Sequence, residues 1–409
     1  MMNRHPAVVR VSATGMPKLW GSLFLIAAAC GNGNGNTGVD AAPTIDAAPD
    51  ASSGFVEAPH GNVPQVVSIG GPVLTAPKVV PIFFTGDGAM QTQVEPYLAA
   101  IAGSPYWHAT MSEYGIGDLA LGASIVTTDP VPTTDTALES WIASNLDGTH
   151  AGWTYDPNTI FTVFLPSGAV LQTQFGQSCQ AFGGYHSETS NASGPITYAL
   201  LPRCGGSLSS LTVATSHELV EAASDPLPFS NGAFQDMDPE HAVWASTPGA
   251  ELGDMCEYVA AANAGMIGAF HVQRTWSNVS AAAGHDPCVP VLATPYQGAA
   301  PMLTDDIDAG QGFITKGVIV PMGSPKTIDV ALFSDAPTDD FSVHAVDGSQ
   351  LFGGQSKLTF AFDKTTGHNG DVLHLTITRK TSDPQGTVFL VVVGQQGMST
   401  SIWWGLASE

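Results

Sequence analysis

The sequence predicts an α/β (α+β) domain over residues 60–295 followed by an all-β sandwich over residues 296–409. Three observations predict this. Strand-like and helix-like segments alternate through the first part of the chain. Seven short strand-like runs, separated by turn signals and free of helical periodicity, fill the second. The length of 409 residues is enough for two sizeable cores.

The N-terminus reads as an export signal rather than a part of the fold. Arg4, Arg10 and Lys18 form a basic region, and Leu19 to Ala29 an apolar run too short to span a membrane stably. The run ends in Ala27-Ala28-Ala29-Cys30. Small residues before a cysteine resemble a bacterial lipobox, which implies cleavage after residue 29 and lipidation of Cys30. Residues 30–59 are low-complexity Gly, Asn, Ala, Asp and Pro sequence with nothing to bury, expected to act as a flexible tether. The expected location is the outer membrane or cell surface of a bacterium as a lipoprotein, or the secreted fraction.

Charge narrows the function. The chain has 36 acidic and 12 basic residues and a formal net charge of −24. Such a surface repels nucleic acid and anionic headgroups, so no nucleic-acid partner is expected and membrane contact is expected through the lipid anchor only. The composition does not define an oligomeric state. Beyond Cys30, four cysteines remain: Cys179, Cys204, Cys256 and Cys288. An even count in an exported chain points to two disulfides. Cys179–Cys204 and Cys256–Cys288 are expected because each closes a modest local loop; no Cys-x-x-Cys spacing supports a metal site built on them.

Within the first domain, residues 78–84 and 159–165 read as buried strands, 119–126 and 196–201 as further strands. Residues 91–101, 106–114 and 136–146 read as helices, followed by a helix over 209–224 that ends before Pro226. In the second domain the strand-like runs cover residues 312–320, 326–333, 340–346, 357–362, 372–379, 387–393 and 399–404. Turn signals such as Asp347-Gly348, Gly353-Gly354 and Asn369-Gly370 separate them. They predict a sandwich of immunoglobulin-like type, acting as a spacer or binding module.

The chemistry concentrates in the last helix of the first domain. Ser216-His217-Glu218-Leu219-Val220-Glu221 contains His-Glu-x-x-Glu, one residue away from the zinc-peptidase pattern His-Glu-x-x-His. Residues four apart share a helix face, so His217 and Glu221 can reach one ion. Glu218 can then take a proton from an attacking water. A third ligand must come from outside the helix. Gly249-Ala250-Glu251-Leu252-Gly253-Asp254-Met255-Cys256 offers Glu251 or Asp254, with Cys256 placed to pin the segment. Alternating strands and helices that end in such a helix suit a zincin-like fold, in which a sheet edge runs beside the active-site helix. Zinc is the expected ion. A carboxylate-rich shell also admits a harder one such as calcium.

Other residues carry weaker signals. Tyr185-His186 lies on an expected loop, where either side chain can stabilise an oxyanion; an exposed loop histidine is the plainer reading. His285-Asp286 stands close to Cys288. Asp236, Asp238 and Glu240, with His241 beside them, offer oxygen ligands without the spacing of an EF-hand.

Gly70-Gly71-Pro72-Val73-Leu74-Thr75, Val79-Val80-Pro81-Ile82-Phe83-Phe84, the block from Ser216 to Pro226, the block from Gly249 to Cys256 and Val272-Gln273-Arg274-Thr275-Trp276-Ser277-Asn278 resemble bacterial relatives of the phosphate-induced (EXORDIUM-like) proteins. The resemblance covers residues 60–290. It implies an exported protein with a zincin-like core and assigns no activity. Plant members carry a degraded form of the motif, whereas this chain keeps His217, Glu218 and Glu221. Two functions follow as expectations. One is a metal-dependent hydrolase acting on a peptide or protein substrate. The other is a non-catalytic surface or binding protein with a relict or structural metal site.

Overall fold

The computed structural model describes residues 54–409, apart from 247–248, 310–312, 352, 384–385 and 398. The expected signal segment, Cys30 and the tether up to residue 53 lie outside the described residues.

The chain is mixed α/β in its first part and β-rich in its second. The first part is built on a sheet whose strands run in the order Ala120–Leu121, Lys78–Phe84, Thr159–Phe164, Gly194–Leu201 and Tyr185–Asn191. The pairs among the first four are parallel; only the last pair is antiparallel. Lys78–Phe84 and Thr159–Phe164 are apolar along nearly their whole length because helices cover both faces. Val79, Phe83, Ile160, Phe164, Ala199 and Leu201 pack on the side of helices Gly88–Ala102 and Leu208–Ser224. Val80, Ile82, Phe161, Val163, Tyr198 and Leu200 pack on the other side, against Leu138 and Ile142 of helix Asp135–Asn145. Alternation along each strand assigns every side chain to one layer.

Several expectations are corrected. Residues 119–126 form two short strands, Ala120–Leu121 and Ile125–Thr127, both paired to Lys78–Phe84. Tyr185-His186 is not on a loop: it opens the Tyr185–Asn191 edge strand. The expected tether ends earlier than residue 59. Asn369 accepts from the Ala58 amide through Oδ1 and donates to the Val56 carbonyl, while the His60 ring stacks on Phe333 at 3.9 Å. This segment straps the second domain before the chain enters the first.

The second part contains two sheets. One has the order Gln297–Pro301, Lys326–Ser334, Val372–Arg379, Leu358–Phe362; the other has the order Asp305–Asp308, Ile314–Ile319, Ser399–Ser408, Val388–Gln396, Phe341–Asp347, Thr366–Gly367. Their inner faces share one core, in which Val330, Leu332, Leu375 and Ile377 lie opposite Val343, Leu390, Val392 and Ala407. Three of these strands, Gln297–Pro301, Asp305–Asp308 and the two-residue Thr366–Gly367, add to the seven runs legible in the sequence.

The same apolar cluster continues into the first part. Trp244 lies edge-on to Trp403 at 6.1 Å, and Tyr258 edge-on to Trp404 at 5.8 Å. The Ala260 amide donates to Thr400 Oγ1 at 2.7 Å. A chain truncated after residue 295 uncovers Trp244, which is buried in the whole chain. It is expected to be recovered as aggregate, while the 54–409 form is recovered soluble; gel filtration of both separates the outcomes.

Candidate metal centre

Helix Leu208–Ser224 begins where Ser207 Oγ accepts the Ser210 amide, and it stops at Asp225 because Pro226 follows. One face carries Leu211, Leu219, Val220 and Ala223 into the core. The neighbouring face carries His217, Glu218 and Glu221 toward the edge strand and the Gly249–Cys256 segment. Both acids are buried, with side chains 6% and 3% exposed. The i, i+4 spacing puts His217 Nε2 3.1 Å from Glu221 Oε2.

Two further elements complete the cluster. The Glu251–Asp254 segment is tied down by the Cys256–Cys288 disulfide and by the Trp276 amide, which donates to the Leu252 carbonyl at 3.0 Å. Glu251 and Asp254 do not share a face. Asp254 Oδ1 is 3.7 Å from His217 Nε2, whereas Glu251 Oε1 is 3.4 Å from His186 Nε2. The edge strand supplies His186. Because side chains alternate, Tyr185 and His186 face opposite layers. The Tyr185 hydroxyl donates to Asp135 Oδ1 at 2.5 Å on the far side of the sheet, so it has no part in the cluster. His186 is buried on the helix side, with Nδ1 3.6 Å from Glu221 Oε2 and 4.0 Å from Glu218 Oε2.

The remaining sequence candidates lie elsewhere. His285 faces Asp335 at 3.9 Å, Asp286 pairs with Arg274, and Asp238 bonds His241 and the Gln65 amide. Cys179–Cys204 forms the second disulfide.

Gln273, absent from the sequence candidates, fixes one ring. Its backbone amide donates to Ser216 Oγ at 2.9 Å and its Nε2 to the Gly253 carbonyl at 2.6 Å. Its Oε1 is thereby left to accept from His217 Nδ1 at 3.0 Å. His186 Nε2 likewise has the Asp225 carbonyl at 3.1 Å. A neutral imidazole has one N–H. If each ring gives that proton to its carbonyl, the lone pairs of His217 Nε2 and His186 Nδ1 both face Glu221 Oε2. Lone pairs opposed to a carboxylate oxygen need a proton or a cation between them. Outer hydrogen bonds of this kind are the usual partners of metal-bound histidine. Ligand atoms about 2.1 Å from a tetrahedral ion lie roughly 3.4 Å apart, close to the 3.1 Å between His217 and Glu221, and ligand atoms lie mutually within 4.8 Å in the groups His217, Glu218, Glu221 and His186, Glu221, Glu251. The donor set therefore fits a divalent ion.

Two glycines let the walls approach. A Cβ on Gly253 falls 2.7 Å from both Glu221 Oε1 and His217 Nδ1, and one on Gly184 falls 2.7 Å from Glu218 Oε1. Gly253→Ala is expected to weaken metal affinity by about 10–100-fold, the usual cost of disturbing outer partners. Competition with a chromogenic chelator measures this; unchanged affinity contradicts it.

Without an ion, the cluster holds protons. Burial works against charge on His186, but the Glu251, Glu221 and Glu218 carboxylates prevail and lift its pKa to about 10. His217 is also raised, against its burial, chiefly by Glu221. Burial lifts Glu218 to about 7 and Glu251 to about 8. Glu221 goes the other way, to about 2, because the imidazoles outweigh its burial. The signs then follow. His186 stabilises the fold fully below its ordinary 6.5 and loses that contribution as pH rises through 10. Glu218 and Glu251 stabilise the fold in their protonated forms, fully below 4.5, and lose this through 7 and 8. Metal-free protein is thus expected to melt at progressively lower temperature between pH 6 and 9. A divalent ion displaces the same protons, so its affinity rises over that interval. Melting curves with and without metal at three pH values check both slopes; parallel curves contradict the account.

The sequence matches no protein-family model and no curated protein. Solved structures that match include the titin M3 domain, at 10% identity and TM-score 0.18, covering 28% of this chain and 97% of that one. Another is a chimeric titin Z1Z2 functionalized with a KLER exogenous peptide from decorin, at 15% identity and TM-score 0.17, covering 27% and 94%. Likeness at this level carries no argument about fold or function.

Proposed function

We propose that this is an exported, lipid-anchored metallohydrolase, a zinc peptidase with a zincin-like first domain. One observation carries the reading: both imidazoles are anchored through one nitrogen to a fixed carbonyl and present the other to Glu221 Oε2. His217, Glu221 and Asp254 would hold the ion. Two imidazoles among carboxylates favour a first-row transition ion over calcium.

When bound, the ion supplies Lewis acidity, lowering the pKa of a water and polarising a substrate carbonyl. Glu218 receives the proton of the attacking water and returns it to the leaving amine. Burial raises its pKa in the metal-free cluster, which strengthens the carboxylate as a base. Asp254 and Glu251 are the most exposed members, with side chains 27% and 24% accessible, so substrate enters from their side.

The test is cleavage of a quenched-fluorescent peptide library by purified protein, before and after chelation. Hydrolysis that stops with chelator and returns with zinc or manganese supports the reading. Retained metal with no cleavage favours a non-catalytic binding protein with a structural ion, the sandwich then serving as the recognition module.

A further inference from the structure

We infer that the cluster holds two divalent ions that share Glu221, the second ion being bound by His186 and Glu251 with Asp225 beside them. This rests on the metal-centre reading above and extends it.

Side-chain donor atoms lie mutually within 4.8 Å in two groups: His217, Glu218 and Glu221, of which Glu218 is the base, and His186, Glu221 and Glu251. Glu221 is the only member common to both. Asp254 Oδ1 lies 3.7 Å from His217 Nε2, while Glu251 Oε1 lies 3.4 Å from His186 Nε2, the nitrogen that also faces the Asp225 carbonyl, so the second ion takes His186 through Nδ1, which faces Glu221. Paired ions bridged by a carboxylate, on the order of 3.5–4 Å apart, are a recurrent hydrolytic arrangement.

Asp225 supplies an independent observation. It is fully buried, and its carbonyl lies 3.1 Å from His186 Nε2. Its Oδ1 accepts the Ala233 amide at 2.6 Å, while Oδ2 meets no hydrogen-bond donor among the described residues. The carboxylate is near enough for its charge to act on both His186 and Glu251. An orphaned carboxylate oxygen beside an imidazole and a second carboxylate is the donor set of a divalent first-row ion such as manganese or zinc.

The experiment loads metal-free, full-length protein with Mn²⁺ and counts bound ions by plasma mass spectrometry after desalting, with electron paramagnetic resonance on the same samples. Wild type is expected to bind two ions per chain and give an exchange-broadened signal. Glu251→Gln, at a partly exposed position, is expected to bind one and give a resolved six-line spectrum. Asp225→Asn is expected to weaken only the second ion, with circular dichroism reporting its folding. One ion in both wild type and Glu251→Gln overturns the second site and leaves the hydrolytic centre standing. Two ions in both overturns the assignment to Glu251. No ion in wild type overturns the metal reading as well.

Discussion

Glu221→Gln is expected to strip the protein of metal. Glu221 Oε2 is the atom that both imidazoles face, at 3.1 and 3.6 Å, and its Oε1 accepts the Asp254 amide at 3.2 Å. An amide in its place keeps the volume but removes the negative charge, and it offers the ion a weaker oxygen. Altering an outer partner alone costs about 10–100-fold in metal affinity, so loss of this shared ligand is expected to exceed roughly 100-fold. Metal content after dialysis measures it, with retention at the wild-type level as the contrary result. The metal-free fold is expected to persist. Glu221 sits in the last turns of a 17-residue helix whose apolar face is anchored independently by Leu211, Leu219 and Val220.

Glu218→Gln separates chemistry from binding. Glu218 precedes the ligand face by a third of a turn, and its Oε2 stands 4.0 Å from His186 Nδ1. The isosteric amide cannot accept a proton, so peptide cleavage is expected to fall by about 10²–10⁴-fold, the usual share of a general base. Metal content is expected to stay at the wild-type value. Rates and metal content measured on one preparation make the comparison. A variant that loses metal and activity together identifies Glu218 as a ligand instead, and one that keeps activity removes it from the mechanism.

How much of this was legible in the sequence depends on what each segment buries. Lys78–Phe84 and Thr159–Phe164 could be read because strands covered on both faces are continuous apolar runs. Helix Leu208–Ser224 was readable from its motif and from Pro226. Tyr185–Asn191 was not, because Tyr-His-Ser-Glu-Thr-Ser-Asn shows no apolar alternation. Its inward positions carry polar groups, with His186 turned to the helix side and Tyr185 bonded to Asp135 on the other. The residues that make this strand a wall of the site also erase its hydropathy pattern. Gln297–Pro301 and Asp305–Asp308 escaped for related reasons, the first being rich in small residues and the second in acids.

Within the site, the convergence of His217 and Glu221 on one helix face was legible from spacing alone. The Glu251–Asp254 segment was legible because a cysteine follows it. The division of labour between those two acids was not, since it depends on which imidazole each one faces. Gln273 had no signal of its own. Its role comes from three hydrogen bonds to residues 20 to 57 positions away, and a single sequence does not record such contacts.

The proposed function rests on a cation binding at Glu221 Oε2. Anomalous diffraction from zinc-soaked crystals, with data collected on both sides of the zinc edge, tests that directly. The account predicts a peak within coordination distance of His217 Nε2 and Glu221 Oε2, with Gln273 Oε1 still accepting from His217 Nδ1. A map without that peak, in which the His217 and His186 rings instead donate protons to Glu221, would contradict it.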